Sequence, residues 1–269
     1  MSLSYSDTAL QLAPWSLSKA HTAIHCPFKF KLQYIERLRI KGLPRARSTM
    51  LGIAAHEALE WVLRGKHPLQ EALRRAAIKS ELTSVEMDDL FALGHNIEQF
   101  LQRLDKFKTN KGVTEQFVEY RFALTKDLKP AEYWGKEVFV RGVWDLCLRA
   151  QEKYLIIIDH KTGRVSGIEA HEDQLNMYAI AGLHTFDNVC GVQSALNYIQ
   201  DDSGVTWADM HPAQYIEETL TPWFVRFINR AAAAAEEAKA RKGFWCSYCE
   251  YVGQCPLKQT KVGSDQEKS

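Results

Sequence analysis

The segment Ile156-Ile-Ile-Asp159-His160-Lys161 is an apolar run that ends in an acid and a lysine two positions apart. In a strand, period-two alternation puts Asp159 and Lys161 on one face and sends His160 to the other. An acid beside a lysine at the end of a buried strand can hold a divalent cation and position or deprotonate a water, the two tasks that cutting a phosphodiester requires. Taken alone, the pair fits a surface ion pair at a strand end better than a catalytic site. Gly142-Val-Trp-Asp145 adds a second acid inside another apolar run, where a carboxylate is costly unless it is hydrogen-bonded, paired or metal-bound. Asp145 and Asp159 offer the hard oxygen donors that Mg2+ or Mn2+ prefer. His56 and Glu60 stand one helical turn apart, as do Gln174 and Tyr178 further on. Each pair fits a ligand or phosphate contact, and each also fits a packed or solvated helix face.

Near the end of the chain stands Cys246-Ser-Tyr-Cys249, followed by Cys255-Pro256. Three thiolates leave a zinc or iron-sulfur site one ligand short. Of the other cysteines, Cys147 and Cys190 fall in apolar strand-like runs and read as buried thiols. Cys26 precedes a proline, as Cys255 does, and reads as an exposed ligand loop.

These residues must be positioned by a helical first half and a sheet-forming second half. Apolar residues recur at helical spacing through residues 16–38, with Cys26-Pro27 as an interruption. Further helices are predicted over residues 51–63, 68–82 and 85–108. Period-two alternation then predicts strands over residues 115–124, 137–149 and 153–161. The short connection at residues 150–153 makes the second and third an antiparallel hairpin, so that Asp145 and Asp159 become neighbours. A helix over residues 172–184 and a strand over 189–199 follow. Thr221-Pro222 reads as a cap and first helical residue of a helix that runs to Arg241 or Lys242. A tail over residues 259–269 is polar enough to be disordered.

The ordered set His56, Gly142-x-x-Asp145, Asp159-x-Lys161 and Gln174-x-x-x-Tyr178 resembles the motif series of the RecB-like branch of the PD-(D/E)xK nuclease superfamily. The resemblance implies an α/β chain with a restriction-endonuclease-like core, in which helices flank a central mixed β-sheet and a helical region precedes it. It implies one nuclease domain over residues 1–258, mainly helical at 15–110, with its catalytic sheet at 113–200 and a C-terminal helix and cysteine segment at 213–258. It assigns His56, Asp145, Asp159 and the backbone carbonyl of His160 to Mg2+ or Mn2+. Lys161 would position the attacking water, with Gln174 and Tyr178 in support; Glu60 and Glu119 are further candidates. Trp144 stands where the eponymous proline is expected, and His160 occupies the variable position of D-x-K. Cys26 with Cys246, Cys249 and Cys255 resembles the iron-sulfur members, including the AddB nuclease domain and CRISPR-associated nucleases. There a 4Fe-4S cluster staples the N- and C-terminal segments together. Zn2+ on the same four cysteines is the alternative.

The implied activity is metal-dependent DNA hydrolysis, as an exonuclease on single strands or DNA ends in recombination, repair, phage DNA metabolism or CRISPR adaptation. The alternatives are a DNA- or protein-binding adaptor on the same fold and a zinc-stabilised interaction domain. The 269 residues carry a net charge of only +1, so DNA contact must come from local clusters. One candidate comprises Lys29, Lys31, Arg37, Arg39, Lys41, Arg45 and Arg47. Phe28, Phe30, Tyr34, Tyr248 and Tyr251 would either stack unpaired bases or pack around the cysteines. No Walker A pattern occurs, so unwinding would fall to a partner: a helicase, a recombinase or a CRISPR adaptation protein. With neither a secretory leader nor a spanning apolar run, no membrane is expected and a cytoplasmic location, in a prokaryote or a phage-infected host, is.

Overall fold

The computed structural model describes residues 3–40, 46–201 and 204–259. Among these, five strands form one sheet in the order β1-β2-β3-β4-β5: β1 Val113–Leu124, β2 Val140–Ala150, β3 Tyr154–Lys161, β4 Gly191–Tyr198 and β5 Val205–Pro212. All neighbours are antiparallel except β3 and β4, which run parallel. A parallel pair needs a crossover, and the helix α8 at Glu172–Thr185 provides it. The expected mixed sheet is therefore present, and its predicted hairpin has Leu146 opposite Ile158.

Before the sheet come α1 (Asp7–Gln11), α2 (Leu17–His25), α3 (Pro27–Phe30), α4 (Arg47–Leu63), α5 (Leu69–Lys79), α6 (Ser84–Ala92) and α7 (Gly94–Lys111). After it come the short α9 (Ala213–Tyr215), α10 (Thr221–Glu237) and the single turn α11 (Pro256–Gln259). One sheet face buries Leu146, Leu148, Ile156 and Ile158 against α4 to α7. The other buries Trp144, Cys147, Leu155 and Ile157 against α8, with α10 and the N-terminal helices completing that layer. Among the described residues no helix is long and apolar enough to cross a membrane.

Several local expectations are corrected. The stretch over residues 85–108 is two helices, because Thr83 caps a separate α6 through a capping box with Glu86 and the chain turns at Leu93. β5 has no counterpart in the sequence reading: it is an edge strand, half exposed, with no clean alternation to detect. Thr221 does not cap α10, since the chain is already helical from Ala213, and the helix stops at Glu237 with Ala238 at φ 49° rather than at Arg241 or Lys242. Cys26 is buried, not exposed, and Cys190 is exposed just ahead of β4, while Cys147 is buried as expected. Lys41, Arg45 and the tail from residue 260 lie outside the described residues.

Candidate active site

The β2–β3 ladder stops short of the strand ends, and that opening builds the site. Beyond Leu146 and Ile158 the amide of His160 donates to Asp145 Oδ2 at 2.7 Å rather than to the β2 backbone. The carbonyl of Val143 accepts from the Tyr178 hydroxyl at 3.3 Å. Backbone groups released from the ladder are thus taken up by site side chains, as buried polar groups require. Further along, Trp15 replaces β3 beside β2: its amide donates to the Phe139 carbonyl at 2.7 Å, and its carbonyl accepts from the Arg141 amide at 3.0 Å.

Asp159 is 5% exposed and is held through Oδ1. Its Oδ1 accepts from Gln174 Nε2 at 2.7 Å and from the Tyr178 hydroxyl at 2.9 Å. Gln174 Nε2 also donates to the Tyr178 oxygen at 2.8 Å, and Gln174 Oε1 accepts from Lys161 Nζ at 2.8 Å. Lys161 Nζ lies 2.7 Å from Asp159 Oδ2, which nonetheless receives no well-aligned hydrogen bond despite full burial. Burial and the nearby Asp145 hold the Asp159 carboxyl above its ordinary range, against the pull of Lys161. Opposite faces for His160 and Lys161 are observed: His160 is buried edge-on against Phe100, with Nδ1 3.0 Å from Asn197 Nδ2, and burial pushes it down to about 4.

The other wall is α4 and β1. Both strands change phase here: Phe117 and Tyr120 face one core three residues apart, with Val118 in the other, while Trp144 and Leu146 belong to different cores two residues apart. Glu119, at φ 49°, and Asp145 occupy the paired kinks between these residues. Both turn toward His56, and a ligand atom from each of His56, Glu119 and Asp145 lies within 4.8 Å of the others. His56 Nδ1 is 3.5 Å from Asp145 Oδ2. Burial lowers the His56 pKa, but bonding to Asp145 and the charges of Asp145, Asp159 and Glu119 outweigh it, so the net shift is upward. Burial raises Asp145 too, yet His56 and His160 draw it below its usual value. Glu119 is pushed up to about 7 by burial, then by Asp145 and Glu60. Glu60 lines the same cleft of about 860 Å³ but is engaged by Arg64 at 2.9 Å.

Two glycines permit this approach. A Cβ on Gly52 would stand 2.7 Å from Thr162 Oγ1, so α4 can lie close to the exit of β3. A Cβ on Gly142 would stand 2.5 Å from the Phe122 ring. The second explains physically why a glycine precedes Asp145 by three residues.

The donor set fits a hard divalent cation: two carboxylates and an imidazole surround one point, and a third carboxylate nearby has a buried, unsatisfied oxygen. Among the described residues His56, Glu119 and Asp145 form the one His/Cys/Asp/Glu group with ligand atoms this close, whereas sequence reasoning placed Glu119 only as a further candidate and Asp159 in the primary set. The sequence matches the PD-(D/E)XK nuclease superfamily over residues 14–256. The chain belongs to that superfamily. Its restriction-endonuclease-like α/β fold is the one expected, and a nuclease with a divalent-cation site is what membership of this superfamily means. No curated protein matches the chain. Among solved structures, a candidate exonuclease from Eubacterium rectale is 12% identical with a TM-score of 0.48, covering 98% of this chain and 99% of its own. The protein SSO0001 is 18% identical with a TM-score of 0.37, covering 86% of this nuclease and 95% of its own chain.

The cysteine segment folds back onto the N-terminal helices of the nuclease. The Phe28 amide donates to the Lys239 carbonyl at 3.1 Å, Arg241 Nη1 to the Ile24 carbonyl at 2.9 Å, and the Tyr251 hydroxyl to the Leu38 carbonyl at 3.0 Å. Cys249 lies near enough to Cys26 and Cys246 for both to raise its thiol pKa, after burial. Of the aromatics named for base stacking, Phe30 and Tyr251 are buried and pack, while Tyr248 is exposed. In the basic stretch, Lys29 pairs with Glu250, Lys31 with Glu36 and Arg47 with Asp89.

Proposed function

We propose that this chain is a RecB-like, Mg2+- or Mn2+-dependent DNA exonuclease acting on single strands or DNA ends. What carries the reading is the bonded set Asp159, Lys161, Gln174 and Tyr178, with His56 and Asp145 close enough for their charges to act on it and on one another. His56, Asp145, Asp159 and the His160 carbonyl would hold the cation, with Glu119 beside them. The cation would supply charge neutralisation at the scissile phosphate and a more acidic water. Lys161, its ammonium fixed by Gln174 and Asp159, orients that water toward phosphorus. Gln174 and Tyr178 keep the Asp159 carboxylate from turning. As the water oxygen bonds to phosphorus, the bond to the 3′ oxygen breaks and that oxygen takes a proton, leaving a 5′-phosphate and a 3′-hydroxyl.

In this proposal the whole of residues 1–258 works as one unit. Cys26, Cys246, Cys249 and Cys255 would hold a 4Fe-4S cluster, which would help keep the C-terminal segment on α2 and α3. The bonds from Phe28, Arg241 and Tyr251 across that seam support it. Brown, visibly absorbing protein from anaerobic purification, bleached in Cys249→Ser, is the expected result; stoichiometric zinc in colourless protein would overturn it.

The deciding experiment is cleavage of end-labelled single- and double-stranded DNA, linear and circular, with Mg2+, Mn2+ or EDTA. Metal-dependent cutting of linear DNA, lost in Asp159→Ala and Lys161→Ala and sparing circles, is expected. Equal inactivity of wild type and both variants would overturn the nuclease reading for this chain.

A further inference from the structure

The β1–β2 connection carries a group that the reaction above does not use. Trp134 is 72% exposed, and the Arg141 guanidinium lies over its ring at 4.6 Å. Tyr133 meets Trp134 edge to face at 4.9 Å. Arg141 and Arg121 both sit over the Tyr133 ring, at 5.2 and 5.6 Å, and Arg141 Nη1 donates to the Tyr133 carbonyl at 3.2 Å. Neither arginine pairs with a carboxylate among the described residues. A large aromatic ring left in water, with one guanidinium over it and a second over the neighbouring Tyr133, is poorly explained by folding alone.

Its position relates it to the cleft. Tyr120, Phe122, Val140 and Trp144 occupy the buried α8 side of the sheet, so Arg121 and Arg141 point to the side where Glu119 and Asp145 meet α4. Arg141 precedes Asp145 by four residues of β2, about 13 Å at the rise of a strand. That is on the order of four stacked nucleotides at 3.4 Å each. The cleft itself is lined by Glu57, Glu60, Glu119 and Asp145 and repels phosphates until cations neutralise it. A strand bound there needs an attractive site next door.

We propose that Trp134, Tyr133, Arg121 and Arg141 form a platform for single-stranded DNA, on which Trp134 stacks an unpaired base while the arginines face the flanking phosphates. The proposal rests on the nuclease reading for its choice of DNA. An exposed ring face suits unpaired bases of any sequence, whereas paired bases in a duplex already have both faces covered.

The test measures binding apart from cutting. A fluorescein-labelled single strand is titrated in Ca2+ by anisotropy, and kcat and KM are measured separately in Mg2+. Trp134→Ala and Arg141→Ala are each expected to weaken single-strand binding about tenfold, appearing in KM far more than in kcat, while Trp134→Phe retains most of the affinity. In a series of strands that each carry one abasic nucleotide, one position should weaken wild type by the same factor and leave Trp134→Ala unaffected. Unchanged affinity in Trp134→Ala, no abasic position that distinguishes the two proteins, or tighter Trp134-dependent binding of RNA or duplex would each overturn the platform. Trp134-dependent binding without any cleavage would uphold it and defeat the nuclease reading alone.

Discussion

Asp145 and Asp159 face each other across two strands, yet they are held in different ways. Asp159 is enclosed by Gln174, Tyr178 and Lys161, so its position is fixed before any ligand arrives. Asp145 has a single close donor, the His160 amide, and otherwise faces an imidazole at 3.5 Å and a second carboxylate. The β3–α8 wall is preorganised; the α4–β1 wall sets two mutually repelling carboxylates against one imidazole and has few fixed bonds of its own. One site therefore combines a rigid half that sets geometry with a responsive half whose donor set suits a cation.

The comparison breaks most severely if the rigid half is cut. Asp159→Ala or Lys161→Ala should lower cleavage roughly a hundred- to thousandfold or more, measured under saturating Mn2+. Gly142→Ala drives a methyl into the buried Phe122 ring and should cost about 1–3 kcal/mol in urea unfolding. Because Gly142 lies on the strand that delivers Asp145, the surviving folded protein should lose metal response while the Asp159 network persists. Tyr178→Phe removes a donor shared by Asp159 and the Val143 carbonyl and should cost about 1 kcal/mol. It should leave the rise of Tm with Mn2+ largely intact. Glu119→Gln is the smallest change: the metal-free protein should be slightly more stable, because a carboxyl repelled by Asp145 and Glu60 is gone. The Mn2+-induced rise in Tm should shrink. An undiminished rise would remove Glu119 from the cation site.

The rigid half was legible as two local pairs, D-x-K on an apolar strand and Gln174 with Tyr178 one turn apart, each of which also fits an ion pair or a solvated face; the resemblance of the ordered motif series joined them. The responsive half was legible only in part. His56 and Asp145 stand in recognisable contexts, but the direction of Glu119 depends on a left-handed residue in the middle of a strand, which no alternation pattern announces. The same limit hid β5, whose edge position leaves no buried face to print a period. Thr221-Pro222 misled for a different reason: a π-helical turn over Ile216–Leu220 precedes it, and where the hydrogen-bond pattern changes a continuous helical run can take a proline without starting there. The platform at Trp134 was not legible at all, since its arginines come from two strands and its aromatics from the loop between them.

The seam between the chain ends carries a consequence for synthesis. The Ser6 amide donates to Asn229, Asn229 to the Ser4 carbonyl and Arg241 to the Ile24 carbonyl, across 223, 225 and 217 residues. At ribosomal rates those partners emerge about 10 to 45 s apart. The N-terminal helices can meet β2 through Trp15 and α8 through His21 in the meantime, but their bonds to Asn229 and Arg241 must wait for those residues, and the Cys26 region waits with them. That layer of the protein should therefore close late, with part of its apolar N-terminal surface exposed to chaperones in the interval, whereas the cleft, lined by residues between 48 and 163, can form earlier.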